Sequence, residues 1–196
     1  MIRAFIAVEM SDDIRIAISD AQARLKRAHV GVKVSWTKVD NIHLTLQFLG
    51  YVEEEVVAKI GAALERIVAE HTAFELDVRG AGAFPDEQRA RVLWVGCEDT
   101  GGKLKALAQG VQAAMQPLGF EPEHRECSAH LTLGRVKPAP MKSGFPKPDA
   151  ALTKALDSIK NQPFGTMRVD AVHLFQSQLH PEGSIYSKLS SHRLRE

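Results

Sequence analysis

The chain holds little that would place it in an oxidising compartment or on a large charged partner. Its 196 residues include only two cysteines, Cys97 and Cys127. Neither lies in a CxxC or paired-histidine spacing, which excludes a disulfide scaffold and gives no support to a structural zinc site. An excess of one charge is also missing: 25 Lys and Arg stand against 24 Asp and Glu, a net charge of +1. That balance excludes the basic footprint that wraps a long nucleic acid, but not a local site for one phosphate end. No apolar run reaches the length of a membrane span. The apolar opening, Met1 to Met10, is short and meets Glu9, Asp12 and Asp13 at once, so it reads as a first strand and not a signal peptide. What remains is ordinary globular composition, 44% apolar and 25% charged. It suits one domain or two small lobes in the cytoplasm.

Against this background one phrase occurs twice: His43-Leu44-Thr45-Leu46 and His130-Leu131-Thr132-Leu133, followed by Gly50 and Gly134. A strand has a period of two, so each copy sends its His and Thr to one face and its two Leu to the other. A single copy is a common strand segment and no more. Two copies can bury both Leu pairs and aim two imidazoles and two hydroxyls at one cleft.

Pattern and turn chemistry predict strands over 2–9, 33–38, 42–49, 74–84, 91–97, 128–136, 164–175 and 185–194. Helical spacing predicts helices from a Ser11 cap to His29 with Gly31 beyond it, over 53–71, from Gly102 to Gly119, and over 150–161. Lys137 to Pro148, rich in proline, reads as a loop. The order predicts an α+β fold: two mostly antiparallel sheets, helices outside and a central cleft. It also predicts a single bilobal domain over 1–196 whose two pseudo-symmetric lobes each supply one motif.

Such a cleft suits the opening of a phosphate ester. Histidine serves as acid or base near neutrality. A phosphodiester needs a base for the attacking water and an acid for the departing oxygen, on opposite sides of phosphorus, which two histidines on opposite walls provide. Each such group contributes roughly 10²–10⁴-fold. A threonine hydroxyl two residues along donates to a non-bridging oxygen.

The paired His-x-Thr-x motifs resemble the 2H phosphoesterases, and most closely the RNA 2′,3′-cyclic phosphodiesterases, also described as 2′-5′ RNA ligases. Arg3 to Val8, Trp36, Asn41 to Gly50, Arg91 to Gly96, His130 to Arg135 and Ser177 to Leu179 with Gly183 and Tyr186 look like blocks of that family. Ala129 departs from the proline that often precedes the second His there. The resemblance implies metal-independent opening of an RNA 2′,3′-cyclic phosphate end to a 2′-phosphomonoester, with no cofactor and no metal ligand. It implies His43 as the acid on the leaving 3′ oxygen, His130 as the base on water, and Thr45 and Thr132 as holders of the phosphate. The expected partner is an RNA 3′ end, tRNA fragments among them, met by a monomer away from membranes. Ligation is the same chemistry in reverse. A phosphodiesterase for small cyclic nucleotides and a non-catalytic RNA-end or nucleotide-binding module are the alternatives.

Arg135 and Arg91 are further candidates for substrate contact. Strict alternation puts Arg135 on the Leu131/Leu133 side unless the strand bulges at Gly134. The same count assigns Phe48 to the core, with base stacking as its other use. Trp36, Trp94 and Tyr186 read as packed residues. His29 and His71 sit at helix C-termini, where a cation suits the dipole. His124, His173, His180 and His192 show no ligand spacing, and Lys137, Lys142 and Lys147 belong to the proline-rich loop.

Overall fold

The computed structural model describes residues 1–28, 32–122, 128–137, 150–181 and 183–196. The expected end of the first helix at His29 and Gly31, and also Cys127, His124, Lys142, Lys147 and the loop around them, lie outside the described residues.

In chain order the elements are β1 (Ile2–Glu9), α1 (Asp12–Ala28), β2 (Val34–Trp36), β3 (His43–Val52), α2 (Glu54–Val68), β4 (Phe74–Phe84), β5 (Val92–Glu98), α3 (Lys103–Met115), β6 (His130–Val136), α4 (Ala150–Ile159), β7 (Pro163–Val169), β8 (Ala171–Gln178) and β9 (Ile185–Arg193). The α+β class stands. Strands run β7-β4-β5-β6-β3-β1-β8-β9, with β2 added on β6, and every named pairing is antiparallel. In place of the two sheets expected, hydrogen bonding runs on from one to the other, because β3 and β6 meet at Leu44 and Leu131.

The expected strand 164–175 divides at Asp170 into β7 and β8. These strands lie near opposite ends of the strand order, yet one residue joins them. The sheet must therefore curl until its two ends approach. The bridge Thr72–Arg195 and the bond from the Leu194 N–H to the Asp170 carbonyl (2.8 Å) fasten the two ends together. A local strand pattern carries no record of which neighbour each half will choose.

Helix α1 begins with acidic Asp12 and Asp13 and ends with Lys26 and Arg27, both suited to its dipole. Ser11 holds the cap position through its carbonyl, which accepts from the Arg15 N–H at 2.9 Å. Its hydroxyl, expected as the cap, is buried without a partner among the described residues. The motif leucines Leu44, Leu46, Leu131 and Leu133 are at most 2% exposed and join one core with Ile60, Leu64, Leu107 and Met115 from α2 and α3. That burial fixes which way the histidines face.

Candidate active site

The alternation predicted for both motifs is present: each Leu is buried, while His43, Thr45, His130 and Thr132 are half-buried. The register partner of Leu44 is Leu131. Extended by one residue each way, that register sets His43 across from Thr132 and Thr45 across from His130. The two motifs are thus related by a local twofold centred on the leucine pair.

Each motif then breaks its own alternation in the same place. In β6, Gly134 pairs with Leu93 while Thr132 pairs with Trp94, leaving Leu133 as the extra residue of a β-bulge. The bulge returns Arg135 to the Thr132 face, opposite Val92. The extra Leu133 carbonyl is satisfied twice, by the Gln22 side chain at 2.9 Å and by the Thr37 N–H at 2.9 Å. In β3 the same step occurs at Leu46: Gln47 pairs with Ile6 and Thr45 with Ala7. Phe48 emerges on the Thr45 face, 55% exposed, so its expected place in the core is corrected. The fifth residue after each histidine, Phe48 or Arg135, is delivered to the cleft by a bulge.

Both imidazoles are held alike. His43 Nδ1 lies 2.8 Å from the Asn41 carbonyl and His130 Nδ1 lies 2.6 Å from the Ser128 carbonyl. A carbonyl only accepts, so each Nδ1 carries the hydrogen and each Nε2 is left for chemistry. Their surroundings differ. His43 stacks on Phe5 (centroids 4.6 Å apart, 24° between planes) and meets Tyr186 edge-on at 5.3 Å. His130 meets only the edge of Phe84 at 5.1 Å among the described aromatic rings. Burial pushes the His43 pKa below its ordinary value; the Asn41 carbonyl opposes this, and the charge on His130 adds to it. The Asn41 side chain donates to the Ser184 carbonyl at 2.6 Å, tying the approach to β9 onto the histidine's support.

These groups open onto a cavity of about 390 Å³. His43, Thr45, Thr132 and Arg135 line it, as do Arg3 and Phe48. Two arginines and no carboxylate face this space, which favours an anion. His130, on the same strand as Thr132 and Arg135, is not among the residues that line it. Arg91 is exposed just before β5 and lies outside the lining. Phe5, Asn41 and Tyr186 have no site role assigned from sequence; Tyr186 is half-buried and lines the cavity. The signal for them is contact across strands, which no local spacing carries. Trp36 packs against the core as expected, whereas Trp94 lines a second groove. His192 is bound to Glu65 (2.7 Å) and the Ser190 hydroxyl (2.9 Å), and His173 lies 3.5 Å from Glu9. Among the described residues no group of three or more His, Cys, Asp or Glu side chains is placed to hold a metal ion, and no helix is long and apolar enough to cross a membrane.

The family model described as LigT like Phosphoesterase matches the chain twice, over residues 8–94 and 95–186. Each match contains one copy of the motif. The RNA 2′,3′-cyclic phosphodiesterase of Aeropyrum pernix is 37% identical over 169 residues, covering 86% of this chain and 91% of that protein. The protein of the same name from Methanothermobacter thermautotrophicus is 34% identical over 193 residues, covering 98% and 99%. Among solved structures, TT0787 of Thermus thermophilus superposes with a TM-score of 0.77 at 28% identity, over 98% of both chains. Escherichia coli LigT complexed with 3′-AMP shares the fold, with a TM-score of 0.74 at 24% identity over 100% of this chain and 99% of that one. A model matched on both halves, each with its own His-x-Thr strand at the cleft, means that the chain belongs to the LigT-like phosphoesterase family.

Proposed function

We propose that this protein hydrolyses RNA 2′,3′-cyclic phosphate ends to 2′-phosphomonoesters, as a monomeric bilobal catalytic domain with one motif from each pseudo-symmetric lobe. The observation that carries the proposal is the matched pair of histidines, each with Nδ1–H committed to a backbone carbonyl and Nε2 left over. The names of the curated relatives support the substrate class.

In this reading the cyclic phosphate lies between Thr45 and Thr132, whose hydroxyls donate to its non-bridging oxygens. Arg135 offsets the charge that grows in the transition state. Attacking and leaving oxygens stand on opposite sides of phosphorus. His130 Nε2 takes a proton from water as the water oxygen bonds to phosphorus. His43 Nε2 gives a proton to O3′ as the P–O3′ bond breaks. The product keeps phosphate on the 2′ oxygen and gains a 3′-hydroxyl. One imidazole accepts a proton and the other donates one, so the step calls on no Lewis acid. The exposed Phe48 offers a ring face to the terminal base. Run backwards with an RNA hydroxyl in place of water, the same machinery forms a 2′-5′ link.

Phosphorus NMR of a cyclic-phosphate dinucleotide in excess EDTA tests this. The wild type yields the 2′-phosphate, and His43→Ala and His130→Ala each slow turnover by about 10²–10⁴-fold. Turnover that stops on chelation and returns with added metal overturns the proposal. Rates on a cyclic mononucleotide far above those on the dinucleotide assign the site to small cyclic nucleotides instead.

A further inference from the structure

Strand β3 breaks its alternation a second time. Phe48 pairs with Phe5 and Gly50 with Ala4, leaving Leu49 as the extra residue of another β-bulge. Gly50 takes the left-handed backbone that such a step uses, with φ at +71°. Leu49 turns into the core, 7% exposed, and Tyr51 stands out at 71%. The register partners of Thr45, Phe48 and Tyr51 are Ala7, Phe5 and Arg3, which alternate along β1 without a break. Directly paired residues share a face of the sheet. The two bulges thus set Thr45, Phe48 and Tyr51 in file on one face, with Arg3 beside Tyr51.

Among the described residues only two Phe, Tyr or Trp side chains are exposed, and they are Phe48 and Tyr51. Rings left in water along one strip are platforms for unpaired bases. Phe48 lines the His43 cavity and Tyr51 lies just beyond its lining. Arg3 supplies charge beside them. It is exposed, lines the same cavity and makes no ion pair among the described residues. It stands four residues along β1 from Ala7, the partner of Thr45, a rise of about 13 Å. Arg135 attends the cyclic phosphate beside Thr132 in the reading above, so Arg3 is placed for a second anion farther along.

A cyclic mononucleotide has no second anion. An RNA end has one: the phosphodiester on the 5′ oxygen of its last nucleoside. We propose that Arg3 and Tyr51 form a subsite for the penultimate nucleotide of a single-stranded RNA end. Arg3 binds the phosphodiester between the last two nucleosides, and Tyr51 stacks on the penultimate base. The inference rests on the phosphodiesterase reading above, with Phe48 as the seat of the last base. Three residues of strand part the two rings by about 10 Å, room for one base on each. Read outward along β3, the cyclic phosphate lies at Thr45, the last base at Phe48 and the penultimate base at Tyr51. The subsite selects ends whose last two nucleotides are unpaired, because a penultimate base within a duplex has both faces covered by its neighbours.

The test compares kcat/KM of the full chain on three substrates with the same cyclic end: 2′,3′-cyclic AMP, the dinucleotide ApA ending in a 2′,3′-cyclic phosphate, and that dinucleotide with no base on its penultimate sugar. The wild type prefers the abasic dinucleotide to cyclic AMP by about tenfold or more, the usual worth of a hydrogen bond to a charged group. It prefers the complete dinucleotide to the abasic one by a further fivefold or so, the usual worth of one stacked base. Arg3→Ala removes the first step and Tyr51→Ala the second, while Tyr51→Phe keeps the second. Each ratio is taken on one preparation, so it does not respond to loss of folded protein. A wild type that treats all three alike, a step that survives its own variant, or loss of the second step in Tyr51→Phe overturns the penultimate subsite while leaving the hydrolase intact. Absence of turnover on all three overturns the phosphodiesterase reading on which the subsite depends.

Discussion

Leu44 lies directly opposite Leu131, and this is the one register partnership between β3 and β6 among the described residues. The pair sets the spacing of the two proposed catalytic histidines, because a histidine and a threonine flank each leucine. Both leucines are at most 1% exposed. Leu131→Ala is expected to cost about 2–5 kcal/mol of stability, read as a lower urea midpoint. It is also expected to lower turnover in protein that remains folded, since the strands lose their shared contact. Unchanged turnover at a lowered midpoint would mean that the histidines are spaced by something else.

The bulge at Leu133 decides whether Arg135 reaches the cavity. A Cβ on Gly134 would stand 2.9 Å from Val34 Cγ1 and 3.0 Å from Trp36 Cε3. Gly134→Ala should therefore destabilise by about 1–3 kcal/mol through overpacking and raise KM as Arg135 shifts. Arg135→Ala should weaken substrate binding by roughly 1.5–3 kcal/mol, the usual worth of a hydrogen bond to a charged group. Arg135→Lys restores only part of it, because an ammonium lacks the fork. Steady-state kinetics on the two Arg135 variants check the order.

A bell-shaped pH dependence of kcat/KM is expected, because it reports the free enzyme's acid and base. His43 is the proposed acid and burial lowers its pKa, so the limb that His43 sets should lie at lower pH than an ordinary histidine would place it. Phe5→Leu removes the ring stacked on His43 and lets water nearer. The charged form then costs less, the pKa rises and the limb that His43 sets moves to higher pH. A limb that stays in place would show that the Phe5 stack does not set it.

The Cys97 thiol is 8% exposed, and burial pushes its pKa up to about 12. The thiolate is the nucleophile. In a Cys127→Ser background, iodoacetamide at pH 8 should leave Cys97 unmodified until urea unfolds the chain. Prompt alkylation of folded protein would contradict its burial.

Much of this is legible in the sequence because two signals are local. Period-two alternation puts His43 and Thr45 on one face and Leu44 and Leu46 on the other. The repeat then implies a partner strand with the same division. Phe48 escapes the pattern because alternation assumes an unbroken strand, while the bulge depends on how β1 and β3 pair. Arg135 has the same ambiguity, and Gly134 is the one local hint that resolves it. Phe5 and Tyr186 belong to strands far apart in sequence from His43, so no window contains all three. The division at Asp170 is hidden for a similar cause: both halves are good strands, and only the curl of the sheet separates them.

The bond from the Asn41 side chain to the Ser184 carbonyl has a bearing on shortened or nicked chains. A polypeptide cut between Leu179 and Ser184 keeps both motifs intact, yet forfeits the wall that Tyr186 forms beside His43. Possession of two His-x-Thr strands is then no guarantee of a working cleft, and truncated relatives are better judged by whether they retain the hairpin that closes it.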